Sequence, residues 1–209
     1  MGFLGQGLQR TARVAPDTLQ IVGMDYVSAA GAFNWTVPAG VDVVDIIAVG
    51  ASSACYPGYS AGSGAVSQRV GKTVTAGQVI SGIVGAGAAD SSPGVVGGST
   101  TVDGMTAEGS SGARSPLIRG LAYGGDANFK GLIYTGNVTA SPGISSLVSQ
   151  TVENGMSTDY GLRINNLAFS GNPSGTTTGN SPGGAPFAGS VAVGGTNGGV
   201  IFIMYRRAV

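Results

Sequence analysis

The chain has 209 residues, of which 39 are glycine, and its ten basic and ten acidic side chains cancel. Because only 10% of the residues are charged and no basic stripe is present, the composition argues against a nucleic-acid partner held through phosphate contacts. An apolar content of 42% excludes disorder caused by low hydrophobicity, and the glycines lack the three-residue period of collagen.

The first 28 residues are interpreted as a separate segment. Their apolar residues are scattered and follow neither helical nor strand spacing, as in a segment that docks onto another surface. They lack the apolar core of a secretory signal, and no apolar run in the chain approaches the roughly 20 residues of a membrane span. Residues 1–28 are therefore expected to be an attachment segment, with an ordinary N-terminal strand of the same domain as the alternative.

Seven short runs rich in valine, isoleucine and threonine predict β-strands. In the strongest run, the doublets Val43-Val44 and Ile46-Ile47 indicate burial on both faces, and Asp103-Gly104 predicts a tight hairpin. No segment keeps a helical period, so residues 29–209 are expected to form an all-β domain, a small antiparallel, jelly-roll-like β-sandwich. The predicted strands are 33–37, 42–49, 64–74, 79–84, 99–102, 105–108 and 199–205.

Long glycine-rich loops are predicted between these strands. Residues 85–98 are glycine, alanine, serine and proline, and residues 111–197 form a long insertion before the closing strand. Loops of such length inside a compact domain are usually functional or disordered. Glycine in the insertion could also pack as side-by-side polyproline-II strands, although the long Gly-Gly-X runs that favour such packing are missing.

Residues that could support catalysis occur only as isolated fragments. Residues 58–62 fit the nucleophile-elbow pattern G-x-S-x-G, but that motif needs a following helix and a histidine base, and the chain has no histidine. No two carboxylates are fixed at a working distance, and neither Asp126-Ala127-Asn128 nor Asn165-Asn166 has calcium-ligand spacing. Cys55 has no basic neighbour to activate it. No catalytic residue, cofactor or metal is therefore expected.

Aromatic residues in the loops are the best candidates for a binding surface. They lie among glycine, serine and asparagine, which is the composition of adaptable recognition loops, and their rings could stack on sugar faces of a bacterial glycan. The alternative is that the rings fill small cores beneath the loops. The candidate receptor-binding residues are Tyr56, Tyr59, Tyr123, Phe129, Tyr134 and Tyr160.

An ordered set of short motifs resembles the glycine-rich domains of bacteriophage tail fibre and tail tip proteins. The turn WTVPAGV is followed by a strand ending in glycine, a V-T-A-G-Q turn, a glycine-alanine run, a G-G-S-T segment and a closing apolar strand. The order of these pieces is more specific than any one of them. They stand at residues 35–41, 46–50, 74–78, 84–88, 97–100 and 198–205.

The resemblance implies a non-enzymatic virion protein, assembled in the host cytoplasm and placed in the tail as a homotrimer. Residues 1–28 would dock it onto other virion proteins, and residues 51–63 and 111–197 would contact a glycan or protein of the host surface. A capsid, collar or tail decoration protein with a purely structural role is the alternative, and an enzymatic spike is a third.

Overall fold

A computed structural model describes residues 19–54, 62–89, 95–111, 119–131 and 194–208. Within these residues the secondary structure consists of β-strands, and no helix is long and apolar enough to cross a membrane. The ten strands are β1 (Leu19–Val27), β2 (Gly31–Thr36), β3 (Val43–Val49), β4 (Val66–Thr73), β5 (Val79–Val84), β6 (Thr100–Val102), β7 (Met105–Ala107), β8 (Ala122–Tyr123), β9 (Ala127–Phe129) and β10 (Gly199–Arg207).

The strands form two antiparallel sheets of five. Sheet A has the order β1-β10-β3-β4-β9, and sheet B has the order β2-β5-β6-β7-β8. The prediction of an all-β sandwich is confirmed, and all seven predicted strands are present with ends that shift by no more than about two residues.

The core between the sheets contains side chains from alternate positions of β3 and β10. Val44, Ile46 and Phe202 face sheet B, and the ring of Trp35 stacks on that of Phe202 at 4.0 Å between centroids. The indole N–H of Trp35 donates to Asp25 at 2.8 Å, which satisfies its one donor inside the sandwich.

The opposite face of sheet A is also buried. Ile47, Val49, Val66, Ile201 and Ile203 form a second apolar cluster there, which we call the outer cluster. Strand β3 is therefore buried on both faces, as its apolar doublets predict.

Two turns take the conformations that their residues favour. Asp103 and Gly104 have φ values of 50° and 74°, so the β6–β7 connection has positive φ at both central residues of the predicted hairpin. The turn before β3 has Gly40 at φ 78°, and Val37 donates its N–H to the carbonyl of Gln78 at 2.9 Å. This contact joins the turn to the one that precedes β5.

Two predicted boundaries differ from the structure. Leu19–Val27 forms edge strand β1 of sheet A, so residues 19–27 are an N-terminal strand of the same domain, which was the alternative to an attachment segment. Residues 1–18 lie outside the described residues. The register of β1 shifts between Ile21 and Gly23, and this irregularity breaks the apolar alternation by which a strand is recognised. The predicted insertion 111–197 contains β8 and β9, which extend both sheets but are too short to give a pattern.

Candidate functional site: a glycine bundle and the loops at its far end

Eight glycine-rich segments leave the strands at one end of the sandwich. The strand register brings the C-terminal ends of β3, β5, β7 and β9 to the same end as the N-terminal ends of β4, β6, β8 and β10. We call the set the glycine bundle, and its segments are residues 50–54, 62–65, 85–89, 95–99, 108–111, 119–121, 130–131 and 194–198.

The hydrogen bonds of segment 50–54 turn by about a third of a circle per residue. Gly50 donates to Ala65 at 2.9 Å, Ala51 to Gly98 at 3.0 Å and Ser52 to Thr196 at 3.0 Å, and Ser53 then returns to segment 62–65 by donating to Gly62 at 3.0 Å. Backbone donors in a β-strand alternate between two sides, whereas a repeat of three is that of a polyproline-II helix. The segments are thus packed around one another and form no flat sheet.

Glycine is required where these backbones touch. A Cβ atom placed on Gly64 would lie 1.9 Å from the carbonyl oxygen of Gly50, and one on Gly109 would lie 2.0 Å from that of Gly97. Both neighbours are backbone atoms that cannot rotate away. The bundle therefore needs glycine for the same reason that the axis of collagen does, because only a residue without a side chain fits between the chains.

Buried hydroxyl groups complete the hydrogen bonding of the bundle. The Oγ of Ser52 accepts the N–H of Thr196 at 2.7 Å, and the Oγ of Ser53 accepts the N–H of Gly62 at 2.7 Å. Ser110 accepts the N–H of Gly120 at 2.9 Å and donates to the carbonyl of Ser63. Because buried backbone groups are costly when unpaired, these serines allow a scaffold of small residues to exclude water.

Four stretches of chain begin and end at the far end of the bundle, away from the sandwich. Their flanking segments are joined by backbone hydrogen bonds: Ser53 to Gly62, Gly195 to Ala88, Gly97 to Ser110 and Gly131 to Gly120. The stretches are residues 55–61, 90–94, 112–118 and 132–193, and they lie outside the described residues. The fold therefore brings the ends of all four stretches to one end of the described structure.

The predicted binding residues fall into two groups. Tyr56, Tyr59, Tyr134 and Tyr160 belong to these four stretches and lie outside the described residues. Tyr123 and Phe129 are 43% and 45% exposed on β8 and β9.

The structure does not bring Tyr123 and Phe129 together. Tyr123 pairs with Thr106, whose neighbours Met105 and Ala107 face the core, so its ring lies on the outer face of sheet B. Phe129 pairs with Val66 of the outer cluster, so its ring lies on the outer face of sheet A. The hydroxyl of Tyr123 donates to Glu108, which also accepts the N–H of Leu121 at 3.0 Å.

Both ends of the predicted contact region 51–63 lie inside the bundle, and host contact itself stays a prediction. Residues 51–54, 62 and 63 are buried inside the bundle, because their small side chains fit between neighbouring backbones. The part of this region that remains a candidate for host contact is residues 55–61. Sequence reasoning missed the bundle itself, whose signal is the run of small residues, alanine and serine, that follows Gly50 at the end of β3.

Asp45, which is buried, and Asp103, which is partly buried, have structural partners. Asp45 accepts the hydroxyl of Tyr205 and the N–H of Gly71, each at 2.7 Å, and burial followed by the Asp45 contact raises the pKa of Tyr205 to about 12. Asp103 of the β6–β7 hairpin bridges Arg69 at 3.0 Å and Lys72 at 2.8 Å, which ties the two sheets together. In the part of the chain that the structure describes, no group of three or more His, Cys, Asp or Glu side chains could hold a metal ion.

A family model described as a glycine-rich domain matches residues 27–204, which include all of strands β2 to β9, most of β10 and every segment of the bundle. The chain belongs to this glycine-rich domain family. No curated protein matches the sequence. The match starts at the last residue of β1, so the family boundary lies close to the predicted domain start at residue 29.

Proposed function

We propose that this glycine-rich domain protein is a non-enzymatic component of a bacteriophage tail, in a fibre or at the tip, that contacts the host cell surface. The ordered motifs that resemble phage tail proteins support the placement of this protein in a phage tail. Membership of the glycine-rich domain family supports the assignment of the domain type.

The observation that carries the proposal is that four stretches of chain begin and end at one end of the bundle. Recognition surfaces are commonly built from loops that a rigid scaffold holds together, and the bundle supplies such a scaffold without large side chains. The loop stretches include Tyr56, Tyr59, Tyr134 and Tyr160 among small polar residues. Tyrosine in this setting offers a flat ring for sugars and a hydroxyl for hydrogen bonds.

The opposite end of the sandwich suits attachment to the particle. Leu19, where β1 begins, pairs with Arg207 near the end of β10, and both lie away from the glycine bundle. Residues 1–18 join the domain at this end. We therefore assign virion docking to residues 1–18, because the rest of the predicted segment 1–28 is largely part of sheet A.

Host contact is tested by binding of fluorescently labelled full-length protein to intact cells of the phage's host, with competition against infection. We expect saturable binding that blocks infection, and a loss of about tenfold or more in affinity for Tyr134→Ala and Tyr160→Ala. Val79→Ala is the control, because Val79 is 55% exposed on sheet B at the end remote from the loops. Folded protein that neither binds cells nor competes with infection would contradict the proposal.

Particle docking is tested with a deletion of residues 1–18. The shortened protein should still bind cells, but it should no longer be incorporated into particles. Incorporation of the deletion variant at the wild-type level would show that another surface makes the contact with the particle.

A decoration protein of the capsid, collar or tail is the second candidate. The opposite orientations of Tyr123 and Phe129 favour it, since two exposed rings on opposite faces suit packing between neighbouring subunits better than one receptor patch. Immunogold labelling separates the two functions: label on the head or along the tail supports decoration, and label at the distal tail supports attachment.

A further inference from the structure

One of the two Asn-Gly pairs in the sequence, Asn197-Gly198, lies in the glycine bundle. In such a pair the backbone nitrogen of glycine can attack the side-chain amide carbon of asparagine, because glycine has no Cβ that obstructs the approach. Asn197 is exposed to water, whereas Gly198 is buried directly before β10. A chemically reactive pair therefore lies at the surface of a closed bundle, and the proposed function gives it no role.

Three hydrogen bonds hold the reacting groups of this pair in place. The Oδ1 of Asn197 accepts the N–H of Gly87 at 3.0 Å, and its Nδ2 donates to the carbonyl of Ser28, between β1 and β2, at 3.3 Å. The N–H of Gly198 donates to the carbonyl of Gly85 at 2.9 Å. Attack requires the side chain to turn toward the nitrogen and the nitrogen to lose its proton, so these hydrogen bonds must break first.

The packing around the pair leaves no room for the products of this attack. A Cβ atom on Gly198 would lie 2.3 Å from the Oγ1 of Thr100 and 2.3 Å from the carbonyl oxygen of Val49. Isoaspartate, one product, lengthens the main chain by one carbon atom at this position. Aspartate, the other product, replaces the amide donor of Asn197 by an oxygen that faces the carbonyl of Ser28.

We propose that Asn197 is a latent deamidation site, which the closed bundle protects and which hinders closure once it has reacted. When the bundle opens, the Gly198 nitrogen gives up its proton and forms a bond to the Cγ of Asn197, while the bond from Cγ to Nδ2 breaks. The departing amide group takes up a proton and leaves as ammonia.

Water then opens the five-membered imide ring and leaves aspartate or isoaspartate. The net reaction consumes one molecule of water and releases one of ammonia, so an opened chain that has reacted does not return to the original structure. This inference does not depend on the proposed function.

Mass spectrometry of peptides from aged full-length protein tests the protection. We expect Asn197 to convert about tenfold more slowly, or slower still, in the folded chain than in urea at the same mildly alkaline pH, since only open molecules react. Asn154, in the other Asn-Gly pair, is the reference in urea, where the two asparagines should convert at similar rates. Equal rates for Asn197 in the folded and the unfolded chain overturn the proposal.

A matched pair of threonine variants tests whether the bundle is the protecting structure. The buried Oγ1 of Thr100 accepts the N–H of Gly85 at 3.0 Å, so Thr100→Val removes one hydrogen bond from segment 85–89. We expect conversion of Asn197 to be about fivefold faster in this variant. Thr101→Val is the control, because Thr101 faces away from the core. Folded Thr100→Val protein that converts at the wild-type rate overturns the proposal.

The effect of the product is measured with Asn197→Asp, which also decides the case in which Thr100→Val does not fold. The new carboxylate accepts the N–H of Gly87 but meets the carbonyl of Ser28, so the equilibrium constant for unfolding in urea should be about fivefold larger. Asn34→Asp is the matched control, since the exposed Oδ1 of Asn34 accepts the hydroxyl of Ser81 and a carboxylate can do the same. Wild-type stability of Asn197→Asp overturns the proposal.

Discussion

The sandwich and the glycine bundle bury the chain in two different ways. In the sandwich, side chains such as Ile46 and Phe202 fill the space between sheets, and neighbouring strands lie at the usual spacing. In the bundle, the backbones of segments such as 50–54 and 62–65 touch directly, and the side chains are hydrogen atoms, methyl groups and hydroxyls. The first region is stabilised mainly by apolar burial and the second by close contact and backbone hydrogen bonds.

This difference changes how the stability of each region responds when a substitution adds or removes one carbon atom. A core of side chains can relax around a missing methyl group, because neighbouring rotamers shift into the space. Contacting backbones cannot relax in this way, since a shift of one segment breaks its hydrogen bonds to its neighbours, of which segment 50–54 has four. We therefore expect added volume in the bundle to cost much more than lost volume in the sandwich.

The largest effect is expected for Gly64→Ala. The new methyl carbon would overlap the carbonyl of Gly50 at 1.9 Å, so the free energy of unfolding should fall by about 4 kcal/mol or more, or the chain should fail to fold. Gly77→Ala is the control: its φ is 81° and nothing lies within 4 Å, so backbone strain alone should cost about 1 kcal/mol. Urea unfolding compares the variants, and equal losses would show that the segments do not pack as closely as described.

A smaller effect is expected for Ile46→Val in the sandwich. The substitution removes one methylene from a fully buried side chain beside Phe202, and the free energy of unfolding should fall by about 1 kcal/mol. The same urea titration measures it, with Ile83→Val as the exposed control that should change little. A loss for Ile46→Val as large as that for Gly64→Ala would remove the distinction between the two regions.

The sequence predicts the sandwich well because its strands carry their own signal. The apolar doublets of β3, the closing run of β10 and the Asp103-Gly104 turn are local patterns with a direct physical meaning. Strand β1 is not predicted from the sequence, because its register shift at Ile21–Gly23 and its exposed apolar residues break the alternation of apolar and polar residues.

The bundle is hard to predict because its contacts are between backbones and between distant segments. Ser52 bonds with Thr196, which is 144 residues away, and nothing in the local sequence of either residue selects the other. For residues 111–197 the sequence allows polyproline-II packing, and the lack of long Gly-Gly-X runs argues against it. The structure shows that short runs suffice when strand ends hold several segments in parallel, so glycines next to predicted strand ends are the better signal.

The smallest effect concerns pH and the polar contact on the outer face of sheet A. Burial and the Asp45 carboxylate raise the pKa of Tyr205 to about 12 from an ordinary value of 10.0, so the folded protein holds this proton where the unfolded chain has lost it. The resulting stability is fully present below pH 10 and is lost as the pH rises toward 12. As the pH rises from 10 toward 12, the free energy of unfolding measured with urea should fall less for Tyr205→Phe than for the wild type. Burial also raises the pKa of Tyr26, but that contribution is common to both proteins and cancels in their difference. Parallel curves for the two proteins would mean that the Tyr205–Asp45 contact does not hold the proton, and that apolar burial alone stabilises this face of the sandwich.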